Sequence, residues 1–391
     1  MMGEMIPPPG PLLCVVGARP NYMKMAPLVR AFGARTDLPS VLLVHTGQHY
    51  DTAMNEKLFA DLALPPPDIN LEVGSGTHAV QTAEIMRRFE PVLDELTPSC
   101  IVVVGDVNST LACSLVASKK GVPVVHVEAG LRSYDRDMPE EINRVLTDQI
   151  ADVLYTTERG ALDNLRREGI PPERVRFVGN VMIDSLMEHR RRALLPLDTL
   201  VREGHESKFL DDPAGFGVVT LHRPSNVDGS ETLREALDIL RAVALRLPLI
   251  WPIHPRTRGN IERLGLSRLL EDARIALLPP QGYLEMLGLL CHARLALTDS
   301  GGIQEEATAL AVPCLTMRDN TERPITVEQG TNTLVGRNRQ RILECVDDVL
   351  VTGGKRGQVP ELWDGHAAVR IASDLASWLA RREGRVAVAC A

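Results

Sequence analysis

Ala293-Arg-Leu-Ala-Leu-Thr-Asp-Ser300-Gly-Gly-Ile-Gln-Glu-Glu306-Ala-Thr-Ala-Leu310 opens as an apolar run of strand length, breaks at Ser300-Gly301-Gly302 and resumes as a helix. A strand, a glycine turn and a helix N-terminus make an anion site. The backbone can approach a phosphate without obstruction, and the helix dipole favours negative charge. Glu306 falls about one turn into the helix, where its carboxylate can accept hydrogen bonds from paired sugar hydroxyls. The stretch suggests a pocket for a phosphorylated sugar. Taken alone it fits a helix-capping turn between buried elements equally well, so the rest of the chain must decide.

Runs of the same kind recur on both sides. In the first half they lie at 12–17, 41–46, 101–104, 124–127, 153–156 and 175–178, and in the second at 217–221, 249–253, 275–278, 295–298, 312–317 and 332–335. Most are continuously apolar, as strands buried on both faces are, and helical-period segments separate them. The class is α/β with parallel sheets. At 391 residues the chain exceeds a usual single core, so two domains are expected. The expected division is an N-terminal segment 1–11 without order, a domain over 12–190, a second over 191–363, and a segment 364–391. That last segment carries an amphipathic helix with Ala368, Ile371, Leu375, Trp378 and Leu379 on one face, crosses back to the first domain and ends in a frayed tail.

A net charge of −8 argues against nucleic-acid binding, which needs a basic face. No apolar run reaches membrane-spanning length, and the Pro-rich start lacks the pattern of a signal peptide. The seven cysteines are odd in number and form no C-x-x-C pair, which suits free thiols in a reducing cytoplasm.

Polar residues gather at the ends of the apolar runs, where doubly wound sheets bind ligands. The first run ends in Gly17-Ala-Arg19-Pro-Asn-Tyr-Met-Lys24, whose two cations suit a diphosphate. This is neither G-x-G-x-x-G nor a Walker loop, so nicotinamide and ATP chemistry lose support. Three acids follow: Asp106 after 101–104, Glu128 after 124–127, and Glu140 of Pro139-Glu-Glu141, where two acids open a helix and one is expected to be structural. Asp106 could instead cap its helix. Carboxylates from separate segments suit proton transfer on two faces of a substrate. Metal binding is the competing reading, but no metal-site spacing supports it. In the second half, His222-Arg223-Pro224 offers a donor to a phosphate or leaving oxygen. Gln281, through its side chain or backbone, could read a base, and Arg323 offers a cation for phosphate or for Glu306.

Assembled in this order, the motifs resemble those of the non-hydrolysing UDP-N-acetylglucosamine 2-epimerases. The match runs from Gly17-Ala-Arg-Pro, Lys24-Met-Ala-Pro and Thr46-Gly-Gln-His through Val127-Glu-Ala-Gly-Leu-Arg and Pro139-Glu-Glu-Ile-Asn-Arg. It continues to His222-Arg-Pro, Thr298-Asp-Ser-Gly-Gly-Ile-Gln-Glu-Glu-Ala and Thr321-Glu-Arg-Pro. The resemblance implies a GT-B architecture, two Rossmann-like domains about an interdomain cleft. It also implies reversible inversion at C2 of UDP-GlcNAc to UDP-ManNAc through a 2-acetamidoglucal, with no cofactor or metal, supplying sugars for cell-surface polysaccharide. By the same resemblance Asp106, Glu128 and Glu140 are acid/base candidates and His222 assists UDP departure. Arg19, Lys24, Gln281, Ser300, Gly301, Gly302, Glu306 and Arg323 are substrate-binding candidates. Gln48, Arg223 and His254 fall in motifs implicated in binding a second UDP-GlcNAc as activator, and a homodimer is implied.

The chain departs from the commonest pattern at Ala18, in the short segment before Pro139 and in Arg223-Pro-Ser-Asn226. Other readings are a GT-B glycosyltransferase using a UDP-sugar, an epimerase of a UDP-diacetamido-uronate, a hydrolysing epimerase and a non-catalytic sensor.

Overall fold

Short runs rich in Val, Leu and Ile pair side by side because each is apolar on both faces and needs cover above and below the sheet. The computed structural model describes residues 10–47, 52–271 and 273–389. Seven strands form the first sheet: β1 (Leu12–Val16), β2 (Val41–His45), β3 (Ile69–Asn70), β4 (Cys100–Val104), β5 (Val124–Ala129), β6 (Val153–Thr156) and β7 (Val175–Phe177). Six form the second: β8 (Gly217–Thr220), β9 (Leu249–Pro252), β10 (Ile275–Leu278), β11 (Leu295–Thr298), β12 (Cys314–Thr316) and β13 (Asn332–Leu334). Every pairing is parallel. The sheet orders are β3-β2-β1-β4-β5-β6-β7 and β10-β9-β8-β11-β12-β13. Both are the doubly wound Rossmann order, in which the winding reverses once. The reversals fall between β1 and β4 and between β8 and β11, so the loops after those strands are the expected ligand sites.

Each sheet has its own core. Val15, Ile101, Val103, Leu154 and Phe89 are buried together in the first, and Val219, Trp251, Leu297, Leu240 and Ile342 in the second. Cys14, Cys100, Cys113 and Cys314 are free and buried. Burial pushes the Cys100 and Cys314 thiols up to about 12, which leaves them unreactive at neutral pH.

Two compact units divide the chain: residues 1–185 with 361–391, and 186–360. The C-terminal segment is thus part of the first unit. Its helix, Ala367–Ala389, packs on the helix Arg19–Gly33 through buried Ile371, Leu375 and Leu379. Helical backbone continues past Gly384, where no residue breaks it. The two carboxylate oxygens of Asp184 accept from the backbone N–H groups of Ala367 (3.1 Å) and Ala368 (2.7 Å), satisfying the helix start from the far end of the first pass. The indole of Trp363 donates to the Thr157 carbonyl at 3.1 Å.

Candidate active site

In the first unit the turn after β1 is very tight. A Cβ on Gly17 would lie 2.0 Å from Ser109 Oγ and 2.7 Å from Thr46 Oγ1, so only glycine fits. Asn21 accepts from the backbone N–H groups of Gly17 (3.1 Å) and Ala18 (3.2 Å) and donates to the Val104 carbonyl at 3.0 Å. That one amide fastens the β1 turn to the end of β4 across the winding reversal. Arg19 is the first residue of the following helix and is half-buried.

The acids stand at neighbouring strand ends. Asp106 follows β4 but does not cap the next helix, whose N-cap is Val107 with no side-chain bond. Its Oδ2 accepts instead from Arg144 Nη2 at 2.6 Å, while Asn143 donates to its carbonyl at 2.9 Å. Glu128, the penultimate residue of β5, lies in the left-handed region at φ +73°, and the β5–β6 register shifts between Val127 and Ala129. A non-glycine residue held there costs on the order of 1–3 kcal/mol. Such bulges re-aim one side chain out of the strand's alternation. The Glu128 carboxylate meets Lys24 Nζ at 2.7 Å, with side chains 1% and 7% exposed. Lys24, expected on a diphosphate, is therefore the counter-ion of a carboxylate.

The Glu140-Glu141 pair divides as expected. Glu141 is buried, accepting from Ser133 N (2.9 Å), Ser133 Oγ (2.9 Å) and Tyr134 N (2.8 Å) and pairing with Arg144 at 3.1 Å. It shapes the short loop before Pro139. Glu140 is half-exposed. It lies one helical turn before Arg144 and so shares its face with the residue that grips Asp106.

In the second unit Asp299 joins the two loops at the winding reversal. Fully buried, it accepts from the backbone N–H groups of His222 (3.1 Å) and Arg223 (2.9 Å) and from Asn226 Nδ2 (3.1 Å). His222 Nδ1 lies 3.3 Å from Asp299 Oδ1, and the ring is 44% exposed, so it is no core histidine. With Nδ1 against a carboxylate, Nε2 is the nitrogen left for a ligand.

Ser300 occupies the N-cap position of the helix Gly301–Ala309 but its side chain makes no cap bond. The capping reading is not realised, and the unpaired first-turn N–H groups remain for an anion. A Cβ on Gly301 would meet Glu322 Oε1 at 2.6 Å. Burial pushes Glu322 up, but Arg323, Arg318 and Arg223 around it hold it well below the usual carboxylate range. Arg223 Nη2 and Arg318 Nη2 lie 3.2 and 2.8 Å from its oxygens. Arg323 pairs with Glu305 at 2.9 Å rather than with Glu306. Burial raises Glu306 to about 7, the Tyr283 hydroxyl acting to lower it and Glu305 adding to the rise. Gln281 spends its side chain on Arg202 (2.8 Å) and the Pro279 carbonyl (2.9 Å). His254 is exposed and accepts from Arg256 N at 3.2 Å at a helix start, while Gln48 lies outside the described residues.

Asp299, Arg144 and His126 carry no role in the sequence reading. A histidine inside the run Val124-Val-His126-Val-Glu128 was a usable signal, since a polar residue there must find partners within the core.

The family model for UDP-N-acetylglucosamine 2-epimerase matches residues 33–376. The UDP-N-acetylglucosamine 2-epimerase of Methanocaldococcus jannaschii is 43% identical over 342 residues, 87% of this chain and 92% of that protein. The UDP-2,3-diacetamido-2,3-dideoxy-D-glucuronate 2-epimerase of Pseudomonas aeruginosa is 40% identical over 377 residues, 93% of this chain and 99% of its own. The M. jannaschii epimerase crystallised with UDP-GlcNAc and UDP superposes with a TM-score of 0.82 at 38% identity, over 93% of this chain and 99% of that one.

Proposed function

The chain belongs to the UDP-N-acetylglucosamine 2-epimerase family, and from that premise we propose that it interconverts UDP-GlcNAc and UDP-ManNAc by elimination and re-addition of UDP. A carboxylate takes the proton from C2 while the C1–O bond to UDP breaks, leaving a C1=C2 double bond. UDP then adds back at C1 as C2 receives a proton on its other face. Asp106, Glu128 and Glu140 form the proton-transfer group. His222, oriented by Asp299, donates to the departing UDP oxygen through Nε2. Ser300, Gly301 and Gly302 hold the diphosphate, Glu306 takes the ribose hydroxyls, and the backbone at Gln281 meets the base, while Arg19 is the first unit's candidate substrate-binding cation.

The observation that carries this reading is Glu128 itself: a buried carboxylate on a strained bulge beside Asp106. Glycosyl transfer and nucleotide sensing both need the anion site, but neither needs that acid. Incubation with UDP-GlcNAc in D2O tests it directly by NMR, because an epimerase places deuterium at C2 of the recovered UDP-sugar. Protium retained at C2 would sink the proposal, and free sugar accumulating with UDP would mark hydrolysis instead.

A second substrate is supported by the similar match to the diacetamido-glucuronate epimerase, which covers more of the chain. The same exchange with UDP-2,3-diacetamido-2,3-dideoxy-glucuronate decides between them. The free buried thiols suit a cytoplasmic enzyme. A homodimer and a UDP-GlcNAc activator near Arg223 and His254 complete the family reading.

Glu306 gives the binding step a pH dependence. Since burial raises its carboxyl from 4.5 to about 7, the folded state binds this proton more tightly than the unfolded one. The stability gained is full at low pH and falls as pH rises through that window. Ribose hydroxyls are accepted better by a carboxylate than by a carboxylic acid. Affinity for UDP-GlcNAc, whose diphosphate does not titrate near neutrality, is therefore expected to rise by up to about tenfold per pH unit below about pH 7 and then level off. Glu306→Gln should bind more weakly and without that slope. A wild-type affinity flat from about pH 5.5 to 8 would remove Glu306 from the ribose.

A further inference from the structure

The interior of the first unit contains a histidine that faces acceptors on both sides. His126, fully buried in β5, has Nε2 2.8 Å from the Gly105 carbonyl and Nδ1 2.7 Å from Asp148 Oδ1. A carbonyl only accepts, so Nε2 carries a proton. Asp148 is the other side of the question. Its Oδ2 accepts from Gly130 N at 3.0 Å and from Arg132 Nη2 at 2.7 Å, two donors that suit a carboxylate. Burial acts to raise Asp148, yet the bonds and charges of His126 and Arg132 leave it below the usual carboxylate range. Arg132 in turn reaches Glu168 at 2.6 Å. An ionised Asp148 leaves Nδ1 no choice but to donate as well. The set then reads His126 positive, Asp148 negative, Arg132 positive and the partly buried Glu168 negative, and its charges cancel. Lys24 and Glu128, the nearest charged pair along β5, cancel separately.

The position of this set matters more than its charge. Asp148 Oδ1 grips residue 126 and Oδ2 grips residue 130, so one carboxylate clamps the strand on both sides of Glu128. Between those two points the backbone turns through the left-handed region. The other end of the imidazole holds the carbonyl of Gly105, the residue immediately before Asp106. Two carboxylates on adjacent strand ends are thereby referenced to one buried ring.

We propose that His126 is a positioning residue held as a doubly protonated imidazolium, which with Asp148 fixes Asp106 and Glu128 in register for proton transfer at the substrate. This rests on the reading of those two acids as the proton-transfer groups. His126 touches no substrate; it acts through the backbone on either side of the acids that do.

The test has two arms on the full-length protein. In 15N-histidine-labelled enzyme at neutral pH, with the His126 signals assigned by their loss in His126→Gln, both ring nitrogens are expected at imidazolium shifts. An unprotonated ring nitrogen at neutral pH would overturn the protonation assignment, because Asp148 would then be the proton donor. In the kinetic arm, His126→Gln and Asp148→Asn are expected to lower kcat by about 10²-fold, the scale of a small displacement of reacting groups. KM for UDP-GlcNAc and Kd for UDP should stay within about two-fold, since the nucleotide is held elsewhere. Full kcat in a folded His126→Gln enzyme, beside an inactive Glu128→Gln, would overturn the positioning role. Equal loss of kcat and UDP affinity would overturn it too, by marking general disruption. Activity retained in Glu128→Gln would instead overturn the catalytic reading while leaving the imidazolium measurement standing.

Discussion

Glu128→Gln is expected to lower kcat by about 10³-fold or more, the scale of losing a positioned acid or base, while the Kd for UDP stays within about two-fold. The amide keeps the shape of the carboxylate and can still accept from Lys24, but it can neither take a proton from C2 nor return one. Lys24 then loses the carboxylate that balances its charge, which is destabilising for a buried ammonium, so some loss of stability accompanies the loss of activity. The two effects separate in the double variant Lys24→Met/Glu128→Gln. Removing both charges should restore much of the stability and none of the deuterium exchange at C2. Exchange at near wild-type rates in a folded Glu128→Gln enzyme would show that Glu128 serves Lys24 and the bulge alone. Deuterium incorporation by NMR and denaturant unfolding on the same preparations give both readings.

Much of the fold is legible in the chain because buried parallel strands announce themselves as unbroken apolar runs. The twelve runs read from sequence correspond to twelve of the strands. The strand they omit is β3, two residues at the sheet edge whose pairing with Val44 and His45 owes nothing to periodicity. The candidate site is legible to the extent that its candidate residues sit at the ends of strands. Asp106, Glu128, His222 and Ser300 can each be found in that way.

What the sequence hides is which polar group answers which. Lys24 is as plausible a phosphate ligand as Arg19 until the helix is laid against β5 and its ammonium meets Glu128. Asn21 reaches across to Val104, and Arg144 reaches back to Asp106 across 38 residues. The Asn21 bond depends on β1 lying beside β4, a neighbour relation fixed by winding rather than by chain order, and the Arg144 bond on β4 lying beside β5. The orienting residues are therefore the part that had to be seen. In both units they bridge the two loops at the reversal: Asn21 in the first, Asp299 in the second.

Asp299 is where this bridging can be broken most completely. Three donors converge on its carboxylate, the N–H groups of His222 and Arg223 and the Asn226 amide, and the His222 ring stands 3.3 Å away. Asp299→Asn replaces one acceptor oxygen by an NH2 group that faces donors. At least one buried N–H is then left unsatisfied, at a cost of about 1–3 kcal/mol each. Because the turn also sets where His222 points, kcat is expected to fall by about 10²-fold or more in enzyme that remains folded. His222→Asn alone should give a loss of similar size with little change in stability, since the ring is 44% exposed. The decisive comparison is the double variant. If Asp299 acts on catalysis through His222, kcat of His222→Asn/Asp299→Asn should match that of His222→Asn, because the second change has no oriented ring left to disturb. Multiplying losses would give Asp299 an effect of its own, through the neighbouring Ser300 and the helix start that follows it, and would detach it from the departure of UDP.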